Sequence, residues 1–369
     1  MSQSEMQLKT LSRKDPEFDS YLRGTFSKTH RAIPVQSLNV NEDAEEVTFR
    51  LIPISEVRAP SPLIKWIEVF KLRSFILLGF PLFLILVKNA YFDEIEMDPI
   101  LVITAVLGCF SLLIGGNLLN DYFDHMRGFD RIHPDQQMKP IQAGWVTAES
   151  ARQWSALYLI LRVLMGIPSV LVTPQLILFG VLPGIVAVWS WLSTRRGARY
   201  RRGTEFLIFL MAGPLLTCGF QMAVSGLFEL ESLWLGVLSG LFCVFFVHLK
   251  NFQFIVVNAQ ADFQNTVSRM GFERSRMFLL AWWIFFIFNF FLYHYVYWSS
   301  YPLWVAASAI VPLVMARPFF KLVYRLNSPA GSEMRKTVEV GRKVAFLTLT
   351  WWLIENLYMI WETGFGAAV

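Results

Sequence analysis

Between Gly115 and Gly144 the chain reads GGNLLNDYFDHMRGFDRIHPDQQMKPIQAG, and within it Asn117, Asn120, Asp121 and Asp124 fall at i, i+3, i+4 and i+7. On a helix that spacing brings four oxygen-bearing side chains to one face. Carboxylates held so close repel one another unless a proton or a cation lies between them. Hard oxygen ligands on a helix suit Mg²⁺, an ion that commonly also takes phosphate oxygens. The chemistry offered is a magnesium-diphosphate site. A helix end breaking into a polar turn also uses Asn, Asp and Gly, but it leaves Asp130 and the Lys139-Pro140 to Gly144 element unexplained.

A second polar face follows much later. His248, Lys250, Asn251 and Asn258 sit near the end of an apolar run, with Asn251, Asn258 and Asp262 at i, i+7 and i+11. Ionisable groups inside an apolar span are costly unless they meet a cavity or a partner. Hydrogen bonding between helices is the other use of such residues. Lys250 either contacts a phosphate or Asp262, or it snorkels or pairs with Glu355. Arg73, in KWIEVFKLRSF, either snorkels or reaches a phosphate from the first span. The five arginines of STRRGARYRRGTE match phosphate geometry but also fit a loop that simply faces the cytoplasm.

The elements that carry these residues are membrane helices. Of 369 residues 54% are hydrophobic and only 17% charged, which excludes a soluble enzyme. Apolar runs near the bilayer-spanning length of about 20 residues occur at 66–88, 99–120, 152–172, 174–193, 204–226, 231–258, 276–298, 301–316 and 343–362. This predicts an all-α polytopic protein with about nine transmembrane helices. The loops at 121–151, 194–202, 259–276 and 317–343 hold three, five, three and seven Lys or Arg, whereas 89–98 is acidic. The positive-inside rule then places the N-terminus and the Asp121 loop in the cytoplasm and the C-terminus outside, in the cytoplasmic (inner) membrane. So distributed, the net charge of +5 is a topology signal and does not imply nucleic acid. Cys109, Cys218 and Cys243 all lie in apolar runs without metal-like spacing and read as core residues. No cleavable signal peptide is expected.

Residues 1–62 read as a cytoplasmic extension ahead of a membrane domain at 63–369, with one alternating stretch, EEVTFRLIPI, that predicts a strand. The aromatic-rich runs WWIFFIFNFFLYHYVYW and LTWWLIENLYMIW either pack between helices and face lipid, or in part line an apolar chamber that would steady a carbocation.

These residues resemble the UbiA superfamily of intramembrane prenyltransferases, most closely the 1,4-dihydroxy-2-naphthoate polyprenyltransferases, over about residues 66–362. The first aspartate-rich motif, N-x-x-N-D-x-x-D-x-x-x-G-x-D, is matched by Asn117, Asn120, Asp121, Asp124, Gly128 and Asp130. An Arg-Pro-x-x-x-Gly element is matched with Lys139 in the arginine position, and YRRGTEF is similar to a Tyr-Arg-Gly-x-Gly-Glu stretch. The resemblance implies helices around a central cavity and a prenyl diphosphate held through Mg²⁺. An isoprenoid chain passes to an aromatic or other lipid-soluble acceptor, as in quinone biosynthesis. It assigns Asp121, Asp124 and Asp262 as catalytic, with Asn117 and Asn120 completing the metal set. Lys139, Arg201 and Asn258 become substrate contacts together with Asn117 and Asn120, beside Arg73 and Lys250 as read above from their positions. The second motif departs from the pattern: Asn258 and Asp262 match, Thr266 stands where an aspartate is expected, and the loop to Gly271 is about eight residues short by comparison with the motif. A terpene cyclase of the same superfamily, or a non-catalytic protein binding an isoprenoid or quinone, are the alternatives.

Overall fold

The computed structural model of the chain describes residues 7–40, 42–91, 95–131, 139–181, 184–185, 204–260 and 265–364. It divides into two compact units, one of Met1–Ile76 with Ile103–Pro168 and one of Leu77–Val102 with Ser169–Val369.

The first unit begins with β1 (Gln7–Ser12), α1 (Phe18–Arg23), β2 (His30–Leu38) and β3 (Glu46–Pro53). The strands form an antiparallel sheet in the order β1-β3-β2. Alternation in the predicted strand sends Val47 and Phe49 to one face, where both are fully buried against Leu11, Phe18, Tyr21 and Leu22. The all-helical expectation thus holds for the membrane part, and the N-terminal region adds a small sheet.

Next in the chain come α2 (Pro62–Val69), a single 3-10 turn at Leu72–Ser74, and α3 (Phe75–Tyr91), which from Leu77 onward belongs to the second unit. The sequence reads residues 66–88 as one continuous span, but the helix is broken at Lys71, whose φ of 53° lies in the left-handed region. No L-residue continues a right-handed helix through that conformation. Helices α4 (Pro99–Met126) and α5 (Ala148–Val172) follow, and the first unit takes them from Ile103 to Pro168. Val69, Phe75, Ile114, Leu118, Tyr122 and Ala151 share one buried cluster, so the apolar side of α4 is fixed and its polar side is set by default.

The second unit contains α6 (Thr204–Ala212), α7 (Pro214–Ser225), α8 (Leu230–Gln253), α9 (Ile255–Gln260), α10 (Thr266–Tyr297), α11 (Pro302–Arg325) and α12 (Ser332–Gly364). At Gly213 the backbone passes so close to α8 that a Cβ would sit 2.4 Å from the Gly236 carbonyl oxygen. Small residues are what permit helices to approach this closely in a membrane.

The aromatic runs are sorted by helical period. Trp283, Phe286, Ile287, Phe290 and Tyr293 are buried, while Ile284, Phe285, Phe288 and Tyr295 are exposed. The inward rings stack on one another and on neighbouring helices, with Phe245 and Trp283 at 4.5 Å and Phe290 and Trp352 at 5.2 Å between centroids. These rings are packing residues. Glu355 lies fully buried 3.3 Å from His294 Nε2. Lys88 pairs with Glu229 at 2.5 Å and Glu231 at 3.4 Å, and Tyr293, next to His294 in the chain, donates to Glu231 at 2.7 Å.

Among the described residues eight helical stretches are long and apolar enough to cross a membrane. Half of the expected fourth span, 174–193, falls outside the described residues.

Candidate functional site

The polar face of α4 carries the predicted residues at its end. Asn120 Nδ2 donates to Asp124 Oδ2 at 3.1 Å, and Asn117 Nδ2 donates to Ser74 Oγ at 3.3 Å. Asp121 and Asp124 are both buried. Lys139 returns to this face from beyond the helix, its Nζ lying 3.5 Å from Asp121 Oδ1, 3.4 Å from Asp124 Oδ2 and 2.6 Å from Asp130 Oδ1. An ammonium therefore occupies the position between carboxylates where the sequence asks for a cation. Burial is the main reason the Asp130 carboxyl is pushed up to about 6; Asp124 and Asp121 add to the rise and Lys139 opposes it.

A second ammonium arrives from a residue that the sequence reading passes over. Lys71 Nζ donates to Asp121 Oδ1 at 2.5 Å. The left-handed backbone at Lys71 turns the chain between α2 and α3, and Ser74 secures the turn by donating to the Lys71 carbonyl at 2.7 Å. A non-glycine residue in that conformation costs roughly 1 kcal/mol, and such strain concentrates at functional sites. Arg73, the expected phosphate contact two residues on, instead pairs with Glu68 at 2.9 Å, with its side chain 77% exposed. Among basic residues at the start of the first span only the backbone geometry separates Lys71 from Arg73, and composition carries no signal for that.

The local charge is therefore three carboxylates against two ammoniums. Asp130 Oδ2 has no hydrogen-bond partner among the described residues. Nor do three His, Cys, Asp or Glu side chains form a closed metal cage among them. This donor set fits a hydrated divalent cation that borrows one or two carboxylates and takes its remaining ligands from water and a phosphate. The two lysines are placed to receive phosphate oxygens, in the manner of point charges.

In the second unit the predicted residues are described only in part, since Asp262 and Arg201 lie outside the described residues. Asn258 is 1% exposed and neither end of its amide has a hydrogen-bond partner among the described residues. Lys250 and Asn251 are half-buried in the last turn of α8. Glu355, considered as a partner for Lys250, faces His294. At position 266, where the sequence pattern offers Thr in place of a carboxylate, the Thr266 hydroxyl donates to Glu205 Oε2. Glu205 Oε1 lies 3.8 Å from Nδ1 of the fully buried His248. A carboxylate is thus brought to position 266 by α6. That pairing joins residues 61 apart, so no local spacing rule could find it.

Eight described helices are thus long and apolar enough to cross a membrane, and the end of α4 carries a buried carboxylate–ammonium cluster. The UbiA prenyltransferase family matches residues 77–335, well over half of the chain, and the protein belongs to that family. Among solved structures it is similar to a UbiA homologue from Archaeoglobus fulgidus bound to DMAPP and Mg²⁺, at TM-score 0.52 and 13% identity, covering 80% of this chain and 99% of that one. A UbiA homologue from Archaeoglobus fulgidus bound to GPP and Mg²⁺ matches with the same values. A digeranylgeranylglyceryl phosphate synthase matches at TM-score 0.50 and 14% identity, again covering 80% and 99%. At these identities the likeness shows a shared fold. None of the curated proteins matches the chain.

Proposed function

We propose that the protein is a Mg²⁺-dependent prenyltransferase that moves an isoprenoid chain from a prenyl diphosphate to an aromatic or other lipid-soluble acceptor, as in quinone or related lipid synthesis. The observation that carries this reading is the convergence of Asp121, Asp124 and Asp130 with Lys71 and Lys139 in a chain of the UbiA family. Solved homologues with DMAPP or GPP and Mg²⁺ support the same chemistry.

In this reading Asp121 and Asp124 bind the metal with Asn117 and Asn120 as direct or water-mediated ligands, Asp262 is a further metal ligand and Asn258 a substrate contact. When bound, Mg²⁺ neutralises charge on the departing diphosphate. Lys139 and Lys71 exchange carboxylate partners for diphosphate oxygens and so favour the product side of C–O cleavage. Arg201 and Lys250 are further phosphate contacts, and Lys71 takes the role expected of Arg73. The allylic carbon then bonds to the electron-rich acceptor, which loses a proton. Apolar surroundings keep water from intercepting the cation.

The purified protein with geranyl diphosphate and an electron-rich aromatic acceptor is expected to release inorganic diphosphate only when Mg²⁺ is present. Release that is absent across chain lengths and acceptors would leave a non-catalytic isoprenoid-binding protein. The one-sided basic loops support an orientation with the Asp121 end in the cytoplasm. A single cysteine at the exposed Ser328, in a chain whose buried Cys109, Cys218 and Cys243 have been replaced, is expected to react only with reagents that cross the membrane. Labelling by an impermeant reagent on intact cells reverses the orientation.

A further inference from the structure

The family match begins at residue 77, so the sheet formed by β1, β2 and β3 lies outside it. Yet this sheet and its helix are bonded to both backbone arms that carry the acidic site. On the first arm, which follows Asp124, His125 Nε2 lies 2.9 Å from the Leu22 carbonyl oxygen at the end of α1, and Met126 packs against the sheet's core. Next, the Arg131 guanidinium is buried against the fully buried Glu45 and donates through Nε to Ser37 Oγ at 3.1 Å. Through its remaining nitrogen it reaches back to the His125 carbonyl at 2.6 Å, closing the turn around Asp130. Gly128, at the centre of that turn, has φ +79°, and a Cβ there would meet Val40 at 2.3 Å.

The second arm, Lys139 to Thr147, is held by the same domain. Gln142 Nε2 lies 3.2 Å from His125 Nδ1, so one imidazole bridges the arms, accepting from Gln142 and donating to Leu22. Trp145 Nε1 donates to the Arg58 carbonyl at 3.1 Å, Ile33 approaches the left-handed Gly144, and Thr147 abuts Gly24.

A solvated extension would not invest a buried Glu–Arg pair in such contacts, because an ion pair taken out of water is retained only with good geometry and additional hydrogen bonds. The carboxylates and lysines of the cluster themselves, Lys71, Asp121, Asp124, Asp130 and Lys139, all lie outside the sheet. We infer that the N-terminal sheet is a clamp that sets the separation of the Asp130 and Lys139 arms, with Glu45, through Arg131, as its principal positioning residue. The effect on catalysis rests on the prenyltransferase reading; the effect on loop order does not. Outer contacts of this kind change metal affinity by about 10- to 100-fold when lost.

The test uses the full-length protein and three variants. Glu45→Gln removes the charge facing Arg131, Ser37→Ala removes one acceptor, and Phe18→Leu loosens the sheet's core without removing a hydrogen bond or ion pair to either arm. Assays are run well below each variant's unfolding temperature. Glu45→Gln is expected to raise the half-saturating Mg²⁺ concentration at least about tenfold, with kcat at saturating Mg²⁺ within about twofold. Ser37→Ala should shift it in the same direction by less, while Phe18→Leu lowers the unfolding temperature alone. Hydrogen exchange of peptides covering 120–131 and 139–147 should quicken in Glu45→Gln. Unchanged Mg²⁺ dependence in Glu45→Gln together with unchanged exchange overturns the clamp. If the wild type shows no Mg²⁺-dependent turnover, the prenyltransferase reading fails, and exchange alone decides the clamp.

Discussion

Replacing Asp121 with asparagine is expected to lower kcat/KM for prenyl transfer by on the order of 10³-fold, the scale of losing a group that stabilises developing charge in a preorganised site. Asp121 is the carboxylate on which both ammoniums converge, Lys71 at 2.5 Å and Lys139 at 3.5 Å. Asparagine preserves shape and keeps an oxygen, but it removes the charge that attracts a metal and orients both lysines. Asp124→Asn should fall in the same range, since Asp124 shares Lys139 at 3.4 Å and takes the Asn120 hydrogen bond. Steady-state kinetics over a range of Mg²⁺ concentrations check this, and unfolding temperatures within a few degrees of wild type show that the fold is kept. A loss below about tenfold in both variants is incompatible with a charge-stabilising role.

The second large effect is expected at Lys139. Its side chain is 15% exposed, and its ammonium faces Asp121, Asp124 and Asp130 together. In Lys139→Met the aliphatic stem remains while three buried carboxylates lose a common counter-charge. Removing one partner from a buried ionic group costs roughly 3 kcal/mol or more. Without Mg²⁺ the variant should therefore unfold at a distinctly lower temperature. Added Mg²⁺ should recover more stability in the variant than in the wild type, because the ion can take over the vacated charge. Turnover should still fall about 100-fold, through loss of the phosphate contact. Lys139→Arg retains the charge in the position where the resembled motif carries arginine, and it should keep most of the activity. Calorimetry with and without Mg²⁺ separates the electrostatic effect from the catalytic one. A Met variant as stable as wild type in EDTA would show that Lys139 does not hold the carboxylates together.

How much of this was readable depends on the distance in sequence over which each arrangement is made. The Asn117 to Asp124 face follows from helical periodicity, and α4 presents it as expected. Lys139 was reachable through its Pro-x-x-x-Gly context. Lys71 was not, because its role depends on one left-handed backbone angle flanked by basic neighbours of the same composition. Of the N-terminal strands only β3 alternates clearly. In β2 the run HRAIPVQSL holds a proline and a register irregularity between Pro34 and Gln36, and β1 is short and mostly exposed, so neither carries a clean period-2 signal. The approach of Glu205 to Thr266 is tertiary, and a motif read residue by residue registers only the missing carboxylate. The first span begins later than hydropathy places it because α2 is apolar enough to be read as part of the run.

Thermal unfolding of the purified full-length protein in the presence of inorganic diphosphate, with and without Mg²⁺, tests the Asp121–Asp124 site most directly. A ligand present at 100 times its Kd stabilises by about 2.7 kcal/mol, a shift that unfolding resolves readily. The wild type is expected to gain stability from Mg²⁺ and diphosphate together well beyond the sum of each alone. Asp121→Asn is expected to lose that Mg²⁺-dependent gain while keeping the weaker response to diphosphate that its lysines provide. An Asp121→Asn variant that retains the full Mg²⁺-dependent gain contradicts the assignment of the site.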